Sequence, residues 1–166
     1  MLELKLELPL ALGMRLESPL DRMFVEQLYC ESREDLYALA SQPDVFQRLM
    51  QMQLAIHLQG VEQRYPHAQS WIITRDAQSI GRMVIDVDET DLRLVDLAIS
   101  VTARKQSVAY EIMRALQQFA DQNHLSVSLS VMSNNLRAIG LYKKCGFISR
   151  HEDGVFLHMH WKSHSN

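Results

Sequence analysis

The chain has 166 residues, of which 47% are hydrophobic and 22% charged, as is typical of one soluble globular domain. Its net charge of −3 argues against a nucleic-acid partner held by bulk charge, and no stretch approaches the ~20 apolar residues of a membrane span. The two cysteines, Cys30 and Cys145, make no disulfide framework, and charged residues interrupt any secretion signal in residues 1–12. We therefore expect a cytoplasmic protein with neither a nucleic-acid nor a membrane partner.

The first part of the chain predicts one ambiguous segment and one helix. Leucine alternates with charged residues over residues 2–8, and this period of two indicates either a strand with one apolar face or a tail that only imitates one. Ser18 and Pro19 then have the sequence of a helix start, with Ser18 as the cap and Pro19 in the first turn. Phe24 and Leu28 supply the buried side of that helix.

The rest of the chain predicts a mixed α/β sheet. Apolar residues recur every three or four positions over residues 44–64, which indicates a second helix. Three strands joined by short turns follow as an antiparallel meander, over residues 71–74, 80–87 and 92–101. The C-terminal part predicts a helix over 107–122, a strand over 125–131, a helix over 135–144, and a hairpin of strands over 147–150 and 155–161. A meander followed by a strand–helix–strand crossover gives a sheet with both strand directions.

The most informative segment is residues 134–147. Its spacing resembles the second signature of the GNAT family of N-acetyltransferases, and the matching positions are Asn135, Ala138, Leu141, Tyr142, Gly146 and Phe147. A capped amphipathic helix closed by glycine accounts for Gly146 and the apolar residues, but not for Asn135 together with Tyr142. Weaker similarity to one bacterial branch of the family extends over most of the chain. We expect a single GNAT domain over residues 14–162, preceded by a strand-like extension or tail over 1–13 and followed by a tail over 163–166.

The resemblance implies a fold and a coenzyme. The fold is a mostly antiparallel mixed sheet with a central splayed pair of parallel strands, flanked by helices on both faces. Acetyl-coenzyme A would bind in the splay, with its pantetheine along the backbone of the strand over 92–101 and its diphosphate in the following loop. The residues implied to bind it are Ile99, Ser100, Val101, Arg104, Lys105, Gln106, Ser107, Val108, Ala109, Asn135 and Tyr142.

The diphosphate loop departs from the family pattern Arg/Gln-x-x-Gly-x-Gly/Ala at one position. Arg104 and Ala109 match, but Ser107 stands where the pattern has glycine. Such a loop points backbone N–H groups at an anion, and glycine permits the close approach. If the φ angle of Ser107 is positive, the side chain costs on the order of 1 kcal/mol; alternatively, its hydroxyl caps the helix or donates to a phosphate. Lys105 and Arg104 keep the loop cationic, which favours a diphosphate. The competing interpretation is a degenerate loop that only starts a helix and binds no diphosphate.

Two residues are candidates for catalysis. The resemblance implies that the phenol of Tyr142 protonates the departing thiolate, and the alternative is an aromatic ring that only packs beside the sheet. Asp96, on the predicted strand over 92–101, is a candidate base or amine-binding anion, and the alternative is an internal hydrogen bond that orders the sheet. The acceptor must lose a proton, which a base or water chain at Asp96, Glu89 or His57 would take.

Two functions from different classes remain open. The first is transfer of an acetyl group from acetyl-coenzyme A to the primary amine of a small molecule or peptide by direct attack. The second is a non-catalytic binding or regulatory module with the same fold and weakened coenzyme binding. No metal is expected, because His158, His160 and His164 have no cysteine or carboxylate at ligand spacing. Predicted strand edges at both ends of the chain favour a homodimer.

Overall fold

The computed structural model describes residues 2–9 and 11–163 of the chain. Its strands are β1 (Leu12–Leu16), β2 (Gln69–Arg75), β3 (Gln78–Val87), β4 (Asp91–Ile99), β5 (Ser126–Met132), β6 (Ile148–Glu152) and β7 (Phe156–Trp161). Its α-helices are α1 (Arg22–Ser32), α2 (Pro43–Arg64), α3 (Val108–Gln122) and α4 (Leu136–Lys144). Short 3₁₀ helices span Pro19–Asp21, Glu34–Ser41 and Val101–Ala103. No helix within the described ranges has both the length and the apolar character that crossing a membrane requires.

The strands form one sheet in the order β1-β2-β3-β4-β5-β7-β6. Neighbours are antiparallel throughout, except that β4 and β5 are parallel. The crossover between these two strands passes through α3, as a parallel connection requires. The predicted fold class, a mostly antiparallel mixed sheet with one parallel pair, is confirmed.

Helices cover both faces of the sheet, and the alternation of side chains along each strand decides which face a residue joins. Ile73 of β2 lies in the larger core, together with Ile112 of α3. Its neighbour Ile72 faces the other way, into a smaller core with Val25 of α1 and Leu54 of α2. The apolar stripe predicted for the helix before β5 is buried, at Val108, Ile112, Ala115, Leu116 and Phe119.

The N-terminal segment fits neither of the two predicted alternatives. Residues 2–9 contain no strand, but Leu4 is buried in the larger core, and Glu7 accepts a hydrogen bond of 2.6 Å from Gln118 of α3. The first strand begins instead at Leu12, which the sequence analysis missed. Gly13 weakens the strand pattern in the sequence. A Cβ at this position would lie only 2.9 Å from Thr74 Oγ1 on the neighbouring strand. The sheet edges are β1 and β6, and the homodimer stays a prediction.

One further predicted boundary was wrong, whereas the helix start with Ser18 as cap and Pro19 in the first turn is confirmed. The strand predicted to end at residue 101 ends at Ile99, because the chain turns there into a 3₁₀ helix. The turn is held by the N–H of Ser100, which donates to the carbonyl of Ile80, and by the N–H of Ala103, which donates to the carbonyl of Ser100 (2.8 and 2.9 Å). The helix predicted to start at Ser18 begins with a single 3₁₀ turn and becomes α-helical at Arg22.

Asp21 joins β1 to the start of α1. Its carboxylate accepts two hydrogen bonds from the guanidinium of Arg15, at 2.6 and 2.8 Å, and one from the backbone N–H of Ser18 at 2.8 Å. These donors stabilise the charged form and hold the pKa of the Asp21 carboxyl well below its usual range. Folding therefore favours the ionised carboxylate.

We expect the Asp21→Asn variant to have a lower free energy of unfolding than the wild type at pH 7. A carboxyl whose folded-state pKa is depressed contributes stability above its unfolded-state pKa of about 4 and loses it as the pH falls through its folded-state pKa. The difference between the two proteins should thus shrink from pH 7 to pH 3 in urea unfolding. Glu26→Gln, which breaks the exposed Arg22–Glu26 pair, should change little. Equal losses in both variants, or a difference independent of pH, would contradict this assignment.

Candidate active site

The parallel strands β4 and β5 are paired over only four residues. Pairing runs from Asp91 opposite Ser126 to Leu94 opposite Leu129, and stops there. Strand β4 continues for five more residues, along which its edge towards β5 has no strand partner in the described structure. The backbone N–H and C=O groups on this edge are consequently available to a ligand that can pair like a strand.

A β-bulge accompanies the divergence. On the β3 side of β4, Val84 pairs with Asp96 and Ile85 pairs with Leu94, so that Val95 is an extra residue in β4. A bulge bends its strand and increases the local twist. The outer part of β4 therefore turns away from β5, and the cleft between them is the splay that the resemblance implied.

A cavity of about 830 Å³ lies at this splay, within the size range of small-molecule sites. It lies between the end of β4, the loop before α3, and helices α1, α2 and α4. Nine of the predicted site residues line it: Asp96, Ile99, Arg104, Lys105, Ser107, Val108, Ala109, Asn135 and Tyr142.

Three predicted coenzyme-binding residues are not part of the lining. Ser100 is buried. The N–H of Val101 donates to the carboxylate of Glu31 on α1, at 2.9 Å. The side chain of Gln106 accepts a hydrogen bond from Arg75 at the end of β2. These three residues therefore contact other parts of the protein instead of lining the cavity, and their contacts fix the position of the loop.

The loop before α3 contains two residues with left-handed backbone. Lys105 has φ 58° and Ser107 has φ 62°, so the strain foreseen at Ser107 is present. The predicted cap by the Ser107 hydroxyl is wrong, because this side chain makes no capping hydrogen bond and only its carbonyl accepts the N–H of Glu111 (2.9 Å). The N–H groups of residues 108–110 find no acceptor among the described residues, as at the open start of any helix. They make an anion-binding position.

Cationic side chains surround this helix start. Four line the cavity from the loop and from α4: Arg104, Lys105, Arg137 and Lys144. Arg104 is already engaged, donating to the carbonyls of Ile99 (3.0 Å) and Glu31 (3.3 Å), so it ties the loop to β4 and α1. Sequence reasoning missed Arg137 and Lys144. Their basic charge within the α4 signature was the available signal.

Asn135 caps the start of α4 and also faces the cavity. Its Oδ1 accepts the backbone N–H of Ala138 at 3.2 Å, which caps the helix. The side chain also lines the cavity. Because the cap uses only the oxygen, the amide N–H groups are left for a ligand.

Tyr142 packs against the core and faces the cavity at once. Its ring centroid lies 6.0 Å from that of Phe147, and the side chain is half-buried beside the larger core. Burial, reinforced by the negative charge of Asp96, raises the pKa of Tyr142 to about 12. Its hydroxyl makes no hydrogen bond with any residue that the structure describes. The phenol thus keeps its proton at neutral pH and has it free to give.

Asp96 lies in a row of charged and polar side chains. Its Oδ2 is 3.6 Å from Nη1 of Arg82 and 3.7 Å from Nε2 of His57. The side chain of Arg82 is only 8% exposed and donates to Glu17 (2.6 Å) and to the hydroxyl of Ser70 (3.1 Å). Arg82 was not foreseen as a site residue, although a single arginine inside an apolar strand was a signal. The carboxylate of Asp96 therefore lies within ion-pair distance of a buried guanidinium and of a histidine, at more than hydrogen-bond length from each.

The histidines considered for a metal have other contacts. His158 lies between Ser130 and Asp153, with its Nδ1 2.7 Å from the serine hydroxyl and its Nε2 2.8 Å from the carboxylate. His164 lies outside the described residues. Within residues 2–9 and 11–163, no three side chains of His, Cys, Asp or Glu gather where they could hold a metal ion.

Comparison with solved structures finds the same fold. PaiA N-acetyltransferase from Thermoplasma acidophilum, in complex with coenzyme A, has a TM-score of 0.66 at 16% identity, covering 93% of this chain and 100% of that one. The Campylobacter jejuni N-acetyltransferase PseH, in complex with acetyl-coenzyme A, has a TM-score of 0.58 at 13% identity, covering 92% and 99%. A spermidine N-acetyltransferase chimera of SpeG from Vibrio cholerae and hSSAT has a TM-score of 0.60 at 18% identity, covering 92% and 95%.

Comparison of sequences gives the family. No curated protein sequence matches the chain. The model of the acetyltransferase (GNAT) family matches residues 25–147, which include most of α1, the splayed strands, the loop before α3 and the signature on α4. That match spans well over half of the chain, and the chain therefore belongs to the GNAT family of acetyltransferases.

Proposed function

We propose that the protein transfers an acetyl group from acetyl-coenzyme A to a primary amine by direct attack. The observation that carries the proposal is the arrangement of one continuous cavity, with an anion-binding helix start at one end and Asp96 at the other. Tyr142 lines the same cavity. Structural neighbours that hold coenzyme A or acetyl-coenzyme A support the choice of acetyl donor.

The chain offers contacts for each part of the donor. The free N–H groups at the start of α3, together with Lys105, suit the diphosphate. The unpaired edge of β4 offers backbone groups to the amides of the pantetheine, and the amide of Asn135 offers further donors. Arg137 and Lys144, at the same end of the cavity, add positive charge for a phosphorylated ligand. The residues present therefore fit the coenzyme.

The acceptor end supplies the proton chemistry. The amine nitrogen forms a bond to the thioester carbonyl carbon while the carbon–sulfur bond breaks. The proton lost by the amine goes to the pair formed by His57 and Asp96, directly or through water. Tyr142 gives its proton to the departing sulfur, which leaves as a thiol. A phenol is protonated throughout the neutral range, and the position of Tyr142 in the cavity lining, rather than its raised pKa, is what supports this role.

Two observations favour the second candidate, a binding module without catalysis. Ser107 holds a left-handed conformation without glycine, and Arg104 is already bonded to protein carbonyls. Both features weaken the loop as a diphosphate site. Coenzyme affinity is consequently the measurement that separates the two candidates.

Calorimetry with coenzyme A should detect binding, and Ser107→Gly should tighten it by up to about fivefold. Glycine removes the Cβ and lets a phosphate approach the backbone more closely, and a gain of about 1 kcal/mol in binding corresponds to this factor. Ala77→Gly is the matched control, because Ala77 also has a positive φ (65°) but lies outside the cavity lining. If calorimetry detects no heat of binding at millimolar coenzyme A, the proposed enzymatic function is wrong. Unchanged or weaker affinity in Ser107→Gly would show that the hydroxyl is tolerated or used.

Tyr142→Phe should lower kcat by about 10²–10⁴-fold, the worth of one positioned acid. The ring that packs near Phe147 remains, so thermal unfolding and coenzyme affinity should hardly change. Since the pKa of Tyr142 is about 12, the wild-type rate should show no decline from this group below pH 10. Tyr110→Phe removes another hydroxyl from the cavity lining and should retain activity. If Tyr142→Phe keeps the wild-type turnover, Tyr142 is not the proton donor and its role is packing alone.

A further inference from the structure

A second cavity, of about 350 Å³, adjoins the acceptor end of the candidate active site. It is lined by Tyr29 of α1 and by Gln53, Ile56 and His57 of α2. Tyr29 and His57 line the main cavity as well, and their rings lie 5.9 Å apart. Because His57 also contacts Asp96, a molecule with its amino group at this pair extends naturally into the second cavity.

The walls of the second cavity carry no uncompensated charge. The nearest cation is Arg33, whose guanidinium donates to both carboxylate oxygens of Asp35, at 2.9 and 2.8 Å. It also donates to the hydroxyl of Tyr29 (3.1 Å) and to the side-chain oxygen of Gln53. With its charge paired in this way, Arg33 offers little attraction to an anionic substrate, and the pair as a whole offers no free carboxylate to a second ammonium group.

The other two carboxylates in the lining, Glu31 and Glu34, lie beside the loop before α3 rather than beside His57. Glu31 accepts the N–H of Val101 (2.9 Å), and Glu34 lies 3.8 Å from Arg104. Among the described residues that line the two cavities, Asp96 is the remaining carboxylate. One ammonium group therefore finds a counter-ion at the acceptor end, and a second one does not.

An exposed apolar side chain completes the second cavity. Ile56 is 62% exposed although it is large and aliphatic, and with the ring of Tyr29 it offers apolar surface to a ligand. Covering such surface stabilises a complex roughly in proportion to the area removed from water. A charged group placed there would lose hydration without gaining a partner.

We infer that the acceptor is a small primary amine with an uncharged, apolar body. Its amino group lies at Asp96 and His57, and its body lies against Tyr29 and Ile56 in the second cavity. This inference rests on the proposed function, and it excludes polyamines and amino acids as preferred acceptors.

Three amines of similar size test the inference by thiol release from acetyl-coenzyme A. They are pentylamine, 1,4-diaminobutane, in which an ammonium group replaces the terminal methyl, and 4-aminobutanoate, which carries a carboxylate. We expect kcat/KM for pentylamine to exceed that for the other two at least tenfold. An equal or higher value for the diamine or the amino acid would overturn the inference. A tenfold preference for a short peptide amine over pentylamine would overturn the assignment to small molecules.

A variant supplies the missing counter-ion. Ile56→Asp should move the preference towards 1,4-diaminobutane by at least tenfold, since the new carboxylate meets the second ammonium group. Val45→Asp is the matched control, because Val45 lies on the same helix, is 51% exposed and lines neither cavity. It should leave the ratio unchanged. If a folded Ile56→Asp variant has the same ratio of kcat/KM for 1,4-diaminobutane to that for pentylamine as the wild type, the body of the amine does not lie in the second cavity.

Coenzyme binding distinguishes the two levels of failure. If amines are acetylated without the expected preference, only the inference about the acceptor falls. If calorimetry shows that coenzyme A binds but no amine causes release of thiol, the proposed acetyl transfer to amines is wrong. The inference about the acceptor, which rests on it, is then wrong as well.

Discussion

The early separation of β4 from β5 is the constraint on which the site depends. Had the two strands stayed paired beyond Leu94 and Leu129, their backbone groups would satisfy one another and no cleft would exist. The bulge at Val95 allows the separation at small cost, because the sheet stays continuous through β3. The paired halves are anchored in the larger core beneath α3. The same packing brings the start of α3 to the mouth of the cleft.

A polar row crosses the sheet on the opposite face from α3. It runs from Glu17, after β1, through Arg82 on β3 to Asp96 on β4 and His57 on α2. Burying a guanidinium is costly unless its donors are satisfied, and here Glu17 and Ser70 satisfy much of that requirement. The row places the Asp96 carboxylate between Arg82 and His57, and all three residues line the cavity. A mobile surface acid would achieve the same position only with a loss of side-chain entropy.

Periodicity and the α4 signature were sufficient to predict most of the fold, and nine of the residues singled out from the sequence line one cavity. Those signals are local, since the pattern over residues 107–122 and the spacing from Asn135 to Phe147 lie within one helix each. Most residues at the proposed acceptor end could not be predicted from the sequence. Its walls join α1 to α2 and β3 to β4, and a residue such as Arg82 acquires a role only through distant partners. Strand β1 was missed because Gly13, small enough for close contact with β2, weakens the strand pattern.

Glu31 makes α1 part of both halves of the cavity. Its carboxylate accepts from Val101 and its carbonyl from Arg104, which fastens the loop before α3 to this helix. Tyr29, two residues earlier, is a wall of the second cavity. Under the proposed function, α1 thus touches both the coenzyme loop and the surface assigned to the acceptor. Any effect of one substrate on the affinity for the other would be reciprocal, and α1 is the element through which the two surfaces are joined.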